Sequence, residues 1–543
     1  MSRPARRGAL AGRLAALLAP LLLAVLPIAL RPEPPPVAAD SQRLVIITPH
    51  VAETRFEFGR AFQAWAAREL HIAVEIDWRT PGGTAEIISL LDTKFQGALA
   101  RQHPQFLSQH LRAFNDAALD AETAGSVEER AVRAAFLASS APADDLDLMW
   151  GGGEFKHREM AAKGYLVDAG LLQAEPDWFS GAVMPETLSG ETLWDAQGRY
   201  YGTCLSSFGI CYSPDRLAEL LDPTPPTSWA SLGEPRFLGA TIMSDPTKSG
   251  AVVASLERLI QERMATAVAA GGGDEKEALA VGWQQGLTLI KRIVGNASWV
   301  LDGASVAVRN VARGEACVGV CIDFNGRAEA EWTERCGGRP RLVYVSPAGG
   351  TSVSADPIAL LRGAPNRQLA VAFMRFVLSR EGQRLYNYRV GEPGGPVRYA
   401  LRRLPIRRDV YSDADRARMS DPGEDPYVLA ESFTYRGAWT GPYHKLLAWL
   451  VKALILDPRD ELTEAWRAII AAGGPERVPE AYAAFAALPF GYGEARARGK
   501  ELFALKDGRT NAEQVAALAL LRSWTEQAQA QYRLAATLAR AGR

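Results

Sequence analysis

Three short stretches of the chain have the composition to receive an anion. Gly82-Gly83-Thr84, Gly151-Gly152-Gly153 and Ser249-Gly250 each stand where an extended or apolar run gives way to a helical pattern. The first amides of a helix lack internal partners and carry partial positive charge, so such a turn can hold the oxygens of a phosphate or carboxylate. Glycine lets a ligand approach the backbone, and Thr84 and Ser249 add hydroxyl donors. One such turn means little, because Gly and Ser are common at helix starts. Three converging on one cleft would make a site for a small anion. Gly83, Thr84, Gly152, Gly153, Ser249 and Gly250 are then the ligand-binding candidates, with Ser207 added from an extended stretch; Lys248 is read as a solvated side chain.

A second set could bind a ligand or a metal. His50 follows the first apolar strand, Glu154 opens a helix and Asp323 ends a strand. All three are ligand-binding candidates, and together they offer nitrogen and oxygen donors to a hard metal ion. Tyr200-Tyr201 and Tyr386-x-Tyr388 are read as packing aromatics. No nucleophile elbow, zinc-protease helix or phosphate-loop motif occurs, so no enzyme is expected and no catalytic residue is assigned.

These residues need a scaffold, and the sequence predicts one. Residues 44–47 read as a buried strand. Phe58, Ala61, Phe62 and Trp65 then recur at helical spacing, Ile72, Val74 and Ile76 alternate, a helix follows Thr84, and 146–150 is a third strand. This β-α-β-α-β order predicts a parallel sheet covered by helices, with ligands beyond the carboxyl ends of the strands. The polar stretch 96–142 reads as a helical insertion. A second unit begins near 198, with extended chain over 200–212 and strands at 240–243 and 318–322. The chain is expected to return to the first unit through 342–345, 352–361 and a helix over 366–378. The fold class is therefore α/β: a first lobe over 40–197, a second over 198–340, a return over 341–410 and an all-helical C-terminal extension over 411–543. In the last helix Thr510 and Glu513 form a capping box, and Val515, Leu518, Leu521, Trp524, Ala528 and Tyr532 share one stripe.

The N-terminus bears on location. Arg3, Arg6 and Arg7 precede an uncharged apolar run over 14–30, and Val37-Ala38-Ala39 closes a Pro-rich stretch. This is the pattern of a secretory signal peptide over 1–39, cleaved near Ala39. Pro20 and Pro27 interrupt the run and argue against a membrane anchor. The mature chain is expected to be periplasmic, monomeric and not membrane-spanning. With 61 Lys+Arg against 62 Asp+Glu, the net charge of −1 provides no field to attract nucleic acid. Its 5 cysteines are an odd number, so at least one lacks an intramolecular partner.

Thr48-Pro49-His50, the run Asp77-Trp78-Arg79-Thr80-Pro81-Gly82-Gly83-Thr84, the stretch 244–250, Ala364-Pro365-Asn366 and the segment FVLSREGQR at 376–384 together resemble ABC-transporter solute-binding proteins of the type II periplasmic binding fold. The resemblance covers about residues 43–410 and is to the branch with ferric-ion-binding and phosphorylated-sugar-binding members. It implies a periplasmic protein that captures a small anion, or a ferric ion with a companion anion, between two lobes. It also implies delivery to a membrane permease and its ATPase, with Fe3+ as the transported ligand in the second case. By this resemblance His50 matches a metal-ligating histidine. Asp323-Phe324 stand where ferric-binding members carry paired tyrosines, and the helical extension lies outside the pattern. The alternative is an extracytoplasmic sensor that presents its closed form to a membrane receptor.

Overall fold

The computed structural model describes residues 41–121, 123–140, 145–271, 273–506 and 510–543; the signal peptide expected over 1–39 lies outside them. β1 (Gln42–Ile47), α1 (Ala52–Glu69), β2 (Val74–Arg79), α2 (Thr84–Gln102), β3 (Leu148–Trp150) and α3 (Glu154–Lys163) follow in the expected order. β1 pairs in parallel with both β2 and β3. Residues 44–47 of β1 are buried, as the unbroken apolar run requires of a strand covered on both faces. The insertion consists of the end of α2, short helical turns and a helix, Val127–Ala138, capped by a Ser126–Glu129 box.

The second lobe holds β5 (Thr241–Ser244), α4 (Gly250–Ala270), α5 (Glu275–Gly295), β6 (Ala297–Leu301), β7 (Val318–Ile322) and α6 (Asp323–Gly337). It is joined to the first by β4 (Tyr201–Tyr212), placed in sequence between α3 and β5. Residues 201–207 of β4 pair antiparallel with β9 (Val353–Leu361) in the first lobe, and residues 208–212 pair antiparallel with β7 in the second. One continuous strand thus crosses between the lobes at Ser207 and Phe208. Two expectations change here. The stretch starting near 198 belongs first to the first lobe's sheet, because its hydrogen bonds go to β9. The short strand β8 (Val343–Val345) pairs with Ile210, Cys211 and Tyr212 of the second lobe, so the return to the first lobe comes only with β9. The strand order is β2-β1-β3-β9-β4-β7-β5-β6. β9 carries a bulge at Asp356/Pro357, where proline has no N–H to give to the ladder.

Beyond 411 the chain contains 3-10 turns and helices, notably α7 (His444–Val451), α8 (Arg459–Ala471), α9 (Pro479–Ala486), α10 (Tyr492–Lys506) and α11 (Asn511–Arg540). The apolar stretch around α7 is buried, and no helix among the described residues is long and apolar enough to cross a membrane. The extension shares one core with the second lobe: Trp283 and Leu287 of α5 join Trp466, Phe485, Trp524 and Tyr532. The Thr510–Glu513 capping box forms. The expected stripe on α11 holds from Leu521 onward; Val515 and Leu518 are exposed, and Ala517, Ala535, Ala536 and Ala539 complete the buried face. All five cysteines are free, four buried and Cys336 exposed on α6.

Candidate functional site

α2, α3 and α4 all begin on one cavity of about 310 Å³ between the lobes. Thr84 lines it from α2, Gly152, Gly153 and Glu154 from α3, and Gly250 and Ala251 from α4. The three-glycine turn is required by geometry. Gly151, Gly152 and Gly153 have φ of +92°, +102° and +81°, a region that side chains strain. A Cβ on Gly151 would lie 2.3 Å from the His50 ring, and one on Gly152 would lie 2.5 Å from Thr84 Oγ1. Only glycine lets β3 turn into α3 through that gap.

The amides freed by this turn are engaged by the protein itself. Asp356, at the bulge of β9, accepts from Gly152 N at 2.7 Å and Gly153 N at 3.2 Å through Oδ1. Its Oδ2 accepts from Arg403 Nη1 at 2.7 Å and faces His50 Nε2 at 3.5 Å. Burial would raise the Asp356 pKa, but Arg403, His50 and the Gly153 amide outweigh it and hold the carboxyl below its usual range. The anion-receiving role expected of Gly152 and Gly153 is thereby filled by an internal carboxylate.

His50 supports this arrangement from behind and is not a cavity wall. Its ring stacks on Trp150 with centroids 4.5 Å apart, and Nδ1 lies 3.1 Å from Thr48 Oγ1. Burial, then the charge of Arg403, lowers its pKa to about 3, so the ring is neutral near pH 7. Asp323 is fully buried and accepts from Arg327 Nη2 and Phe324 N. Its neighbour Phe324 lines the cavity instead, with the Arg403 guanidinium 3.9 Å above its ring. Ser207 is bonded to the Tyr344 hydroxyl, while Ser206 lines the cavity. Gly83 and Ser249 cap their helices without joining the lining, and Lys248 is exposed. Glu154 does line it, accepting from the Tyr200 hydroxyl at 2.8 Å; burial, opposed by Arg158, raises its pKa. The three metal-ligand candidates do not converge. Each holds its own protein partner, and among the described residues no group of three or more His, Cys, Asp or Glu is placed to hold an ion.

Other lining residues come from distant segments. Arg258 of α4 pairs with Glu191 of the first lobe, and its Nε donates to Ser352 Oγ at 2.9 Å. Glu257 accepts from Tyr435, Thr440 and His444, all in the extension. Lys156, Arg158, Arg258 and Arg403 are matched among the lining residues by Glu154, Glu191, Glu257 and Asp356, four charges of each sign. With the charged side chains cancelling in number and Asp356 seated on the α3 turn, the N-terminal ends of α2 and α4 supply the positive potential that remains.

The chain belongs to the bacterial extracellular solute-binding protein family, whose model matches residues 128–399. This is a family of binding proteins, not of enzymes. An uncharacterized protein of Haemophilus influenzae is 29% identical over 237 residues, 44% of this chain and 60% of that protein. The phosphoglycerate transport regulatory protein PgtC of Salmonella typhimurium is 24% identical over 181 residues, 33% of this chain and 39% of that protein. The chain therefore spans less than two thirds of the length of either relative. Similar solved structures include the periplasmic binding protein AfuA of Actinobacillus pleuropneumoniae with fructose-6-phosphate bound (17% identity, 76% of this chain and 98% of that chain, TM-score 0.46). Iron-bound HitA of Pseudomonas aeruginosa is another (16% identity, 75% and 98%, TM-score 0.43).

Proposed function

We propose that this chain is the periplasmic binding component of an ABC importer. In this reading it captures a small phosphorylated or carboxylated solute between its lobes and delivers it to a membrane permease and its ATPase. The observation that carries the reading is the opening of three helix N-termini onto one cavity whose charged side chains balance. An anion entering there meets the Thr84 hydroxyl and the first turns of α2 and α4, the amides of the α3 turn being engaged by Asp356, with no excess of carboxylates opposing it. A volume of about 310 Å³ suits a small metabolite. The phosphoglycerate in the name of PgtC belongs to the same chemical class. Ferric iron is not the solute we propose, because His50, Glu154 and Asp323 are committed to other partners. A sensor that presents its closed form to a membrane receptor is the second reading, favoured by the regulatory role in the name of PgtC.

The test is the melting temperature of the full chain against 3-phosphoglycerate, inorganic phosphate, di- and tricarboxylates, neutral sugars and Fe3+. A ligand at 100 times its Kd stabilises by about 2.7 kcal/mol. A shift with anions alone supports the reading; a shift with neutral sugars or Fe3+ alone, or with none, rejects it. Capture of a permease rather than a receptor by the loaded protein separates the two readings.

A further inference from the structure

One wall of the cavity comes from outside the family-matched region. Tyr435 and His444 both line it, and both lie beyond residue 399. We propose that His444, carried by the C-terminal extension, contacts the solute, and that Tyr435 is a positioning residue for it. This rests on reading the cleft as a solute site.

The argument starts from Glu257. This side chain on α4 is buried, with His444 Nδ1 at 2.8 Å from its Oε2. Tyr435 and Thr440 hydroxyls donate to its Oε1 at 2.8 and 2.6 Å. Burial alone would raise its pKa, but His444 first, then the charge of Arg258 and the Thr440 hydroxyl, bring it down to about 2. Glu257 is therefore a carboxylate, which can only accept hydrogen bonds. Nδ1 of His444 must then carry a proton, which leaves Nε2 as the free polar atom of the ring. Among the described residues nothing bonds Nε2.

The ring is held from both lobes. Phe155 of α3 packs against it with centroids 4.2 Å apart, and Lys445 beside it pairs with Glu159 of the same helix at 3.2 Å. Upstream, Tyr435 N donates to Ser189 O at 2.8 Å in the first lobe, and Arg436 N donates to Gln261 Oε1 at 2.8 Å in the second. A polar atom without a partner, on a ring fixed by packing and by a buried carboxylate, is how a binding site keeps one hydrogen bond for its ligand. Nε2 of the neutral ring accepts that bond from a hydroxyl of the solute, and as the N–H of the imidazolium it donates it to an anionic oxygen.

The full chain is titrated calorimetrically with 3-phosphoglycerate and inorganic phosphate, and is also weighed by native mass spectrometry as isolated, to detect solute carried from the host. His444→Asn keeps a donor near the Nδ1 position for Glu257 but removes Nε2; His444→Phe keeps the packing on Phe155 and removes both nitrogens. The inference expects both variants to lose roughly tenfold or more in affinity, or to lose the carried solute, with the melting temperature of His444→Asn unchanged. Wild-type affinity or occupancy in His444→Asn overturns it. If neither phosphate compound binds, and the carried solute that disappears in the variant has the mass of an uncharged compound, the anion reading falls and the His444 contact stands. A wild-type chain that neither binds nor carries a solute overturns both.

Discussion

Asp356 ties three distant parts of the chain together: the glycine turn before α3, His50 just after β1 and the late Arg403. Removing one partner of a buried ion pair costs about 3–5 kcal/mol, because the other charge remains buried. Asp356→Ala should lose about that much stability in urea unfolding, and Asp356→Asn less, since an amide oxygen can still accept from Gly152 and Gly153. The neutral histidines make a second prediction at this scale. Burial lowers His50 to about 3 and His157 to about 4, whereas both rings in the unfolded chain take up protons below about 6.5. The unfolded state then binds more protons, so stability falls as pH drops from 6.5 towards 4, by about 2 kcal/mol per ring at pH 5. Replacing His157 with Asn should shallow the measured slope in that window. The sequence marks Thr84, Gly152, Gly153, Glu154 and Gly250, which line the cavity, as candidates because each stands at a strand-to-helix junction, which local pattern exposes. Asp356, Arg403, Arg258, Glu191 and His444 carry no local sign. Their role exists only once the stretch before β4, β9, the chain after it and the extension fold against α3 and α4.

At the scale of elements, α4 and α5 form a close-packed helix pair in the second lobe. A Cβ on Gly282 would lie 2.3 Å from Met264 Cα, and one on Gly286 would lie 2.8 Å from Ile260 Cα. The two backbones touch through these glycines, leaving no room for a methyl group. Gly282→Ala should therefore destabilise the protein by about 1–3 kcal/mol, read as a lower urea midpoint at unchanged slope. The β-α-β order of the first lobe is legible from alternation and helical spacing. The crossing strand is not: β4 is one unbroken extended run, and nothing in its residues marks the change of partner from β9 to β7 after Ser207. The misplaced return of β8 has the same cause, since a short apolar strand does not announce which sheet edge it will join.

Across the whole molecule, the extension is an integral part of the second lobe. Lys291 of α5 is buried at their interface and donates to the carbonyls of Phe485 and Ala487, both in the extension. Burial lowers its pKa to about 7, while in the unfolded chain it stays protonated to about 10.4. Between these values the unfolded state binds more protons, so this residue makes stability rise with pH, by about 1.5 kcal/mol from pH 7 to 8.5. Lys291→Met should lose that rise relative to the wild type while leaving two carbonyls unsatisfied, at a cost of roughly 1–3 kcal/mol each at most. The helical character of the extension is legible from its composition and capping box. Its reach into the cleft is not, because Tyr435 and His444 look like ordinary surface residues until Glu257 is placed beside them.

The cysteines turn this architecture into an instrument. With Cys204, Cys211, Cys317 and Cys321 buried, a maleimide dye added to the folded chain should attach at Cys336 alone, on the lobe that carries the extension. A single Thr93→Cys change on the exposed side of α2 would put a second dye on the opposite lobe without disturbing any native thiol. Energy transfer between the two would then report any change in the distance between the lobes of individual molecules when a solute is added.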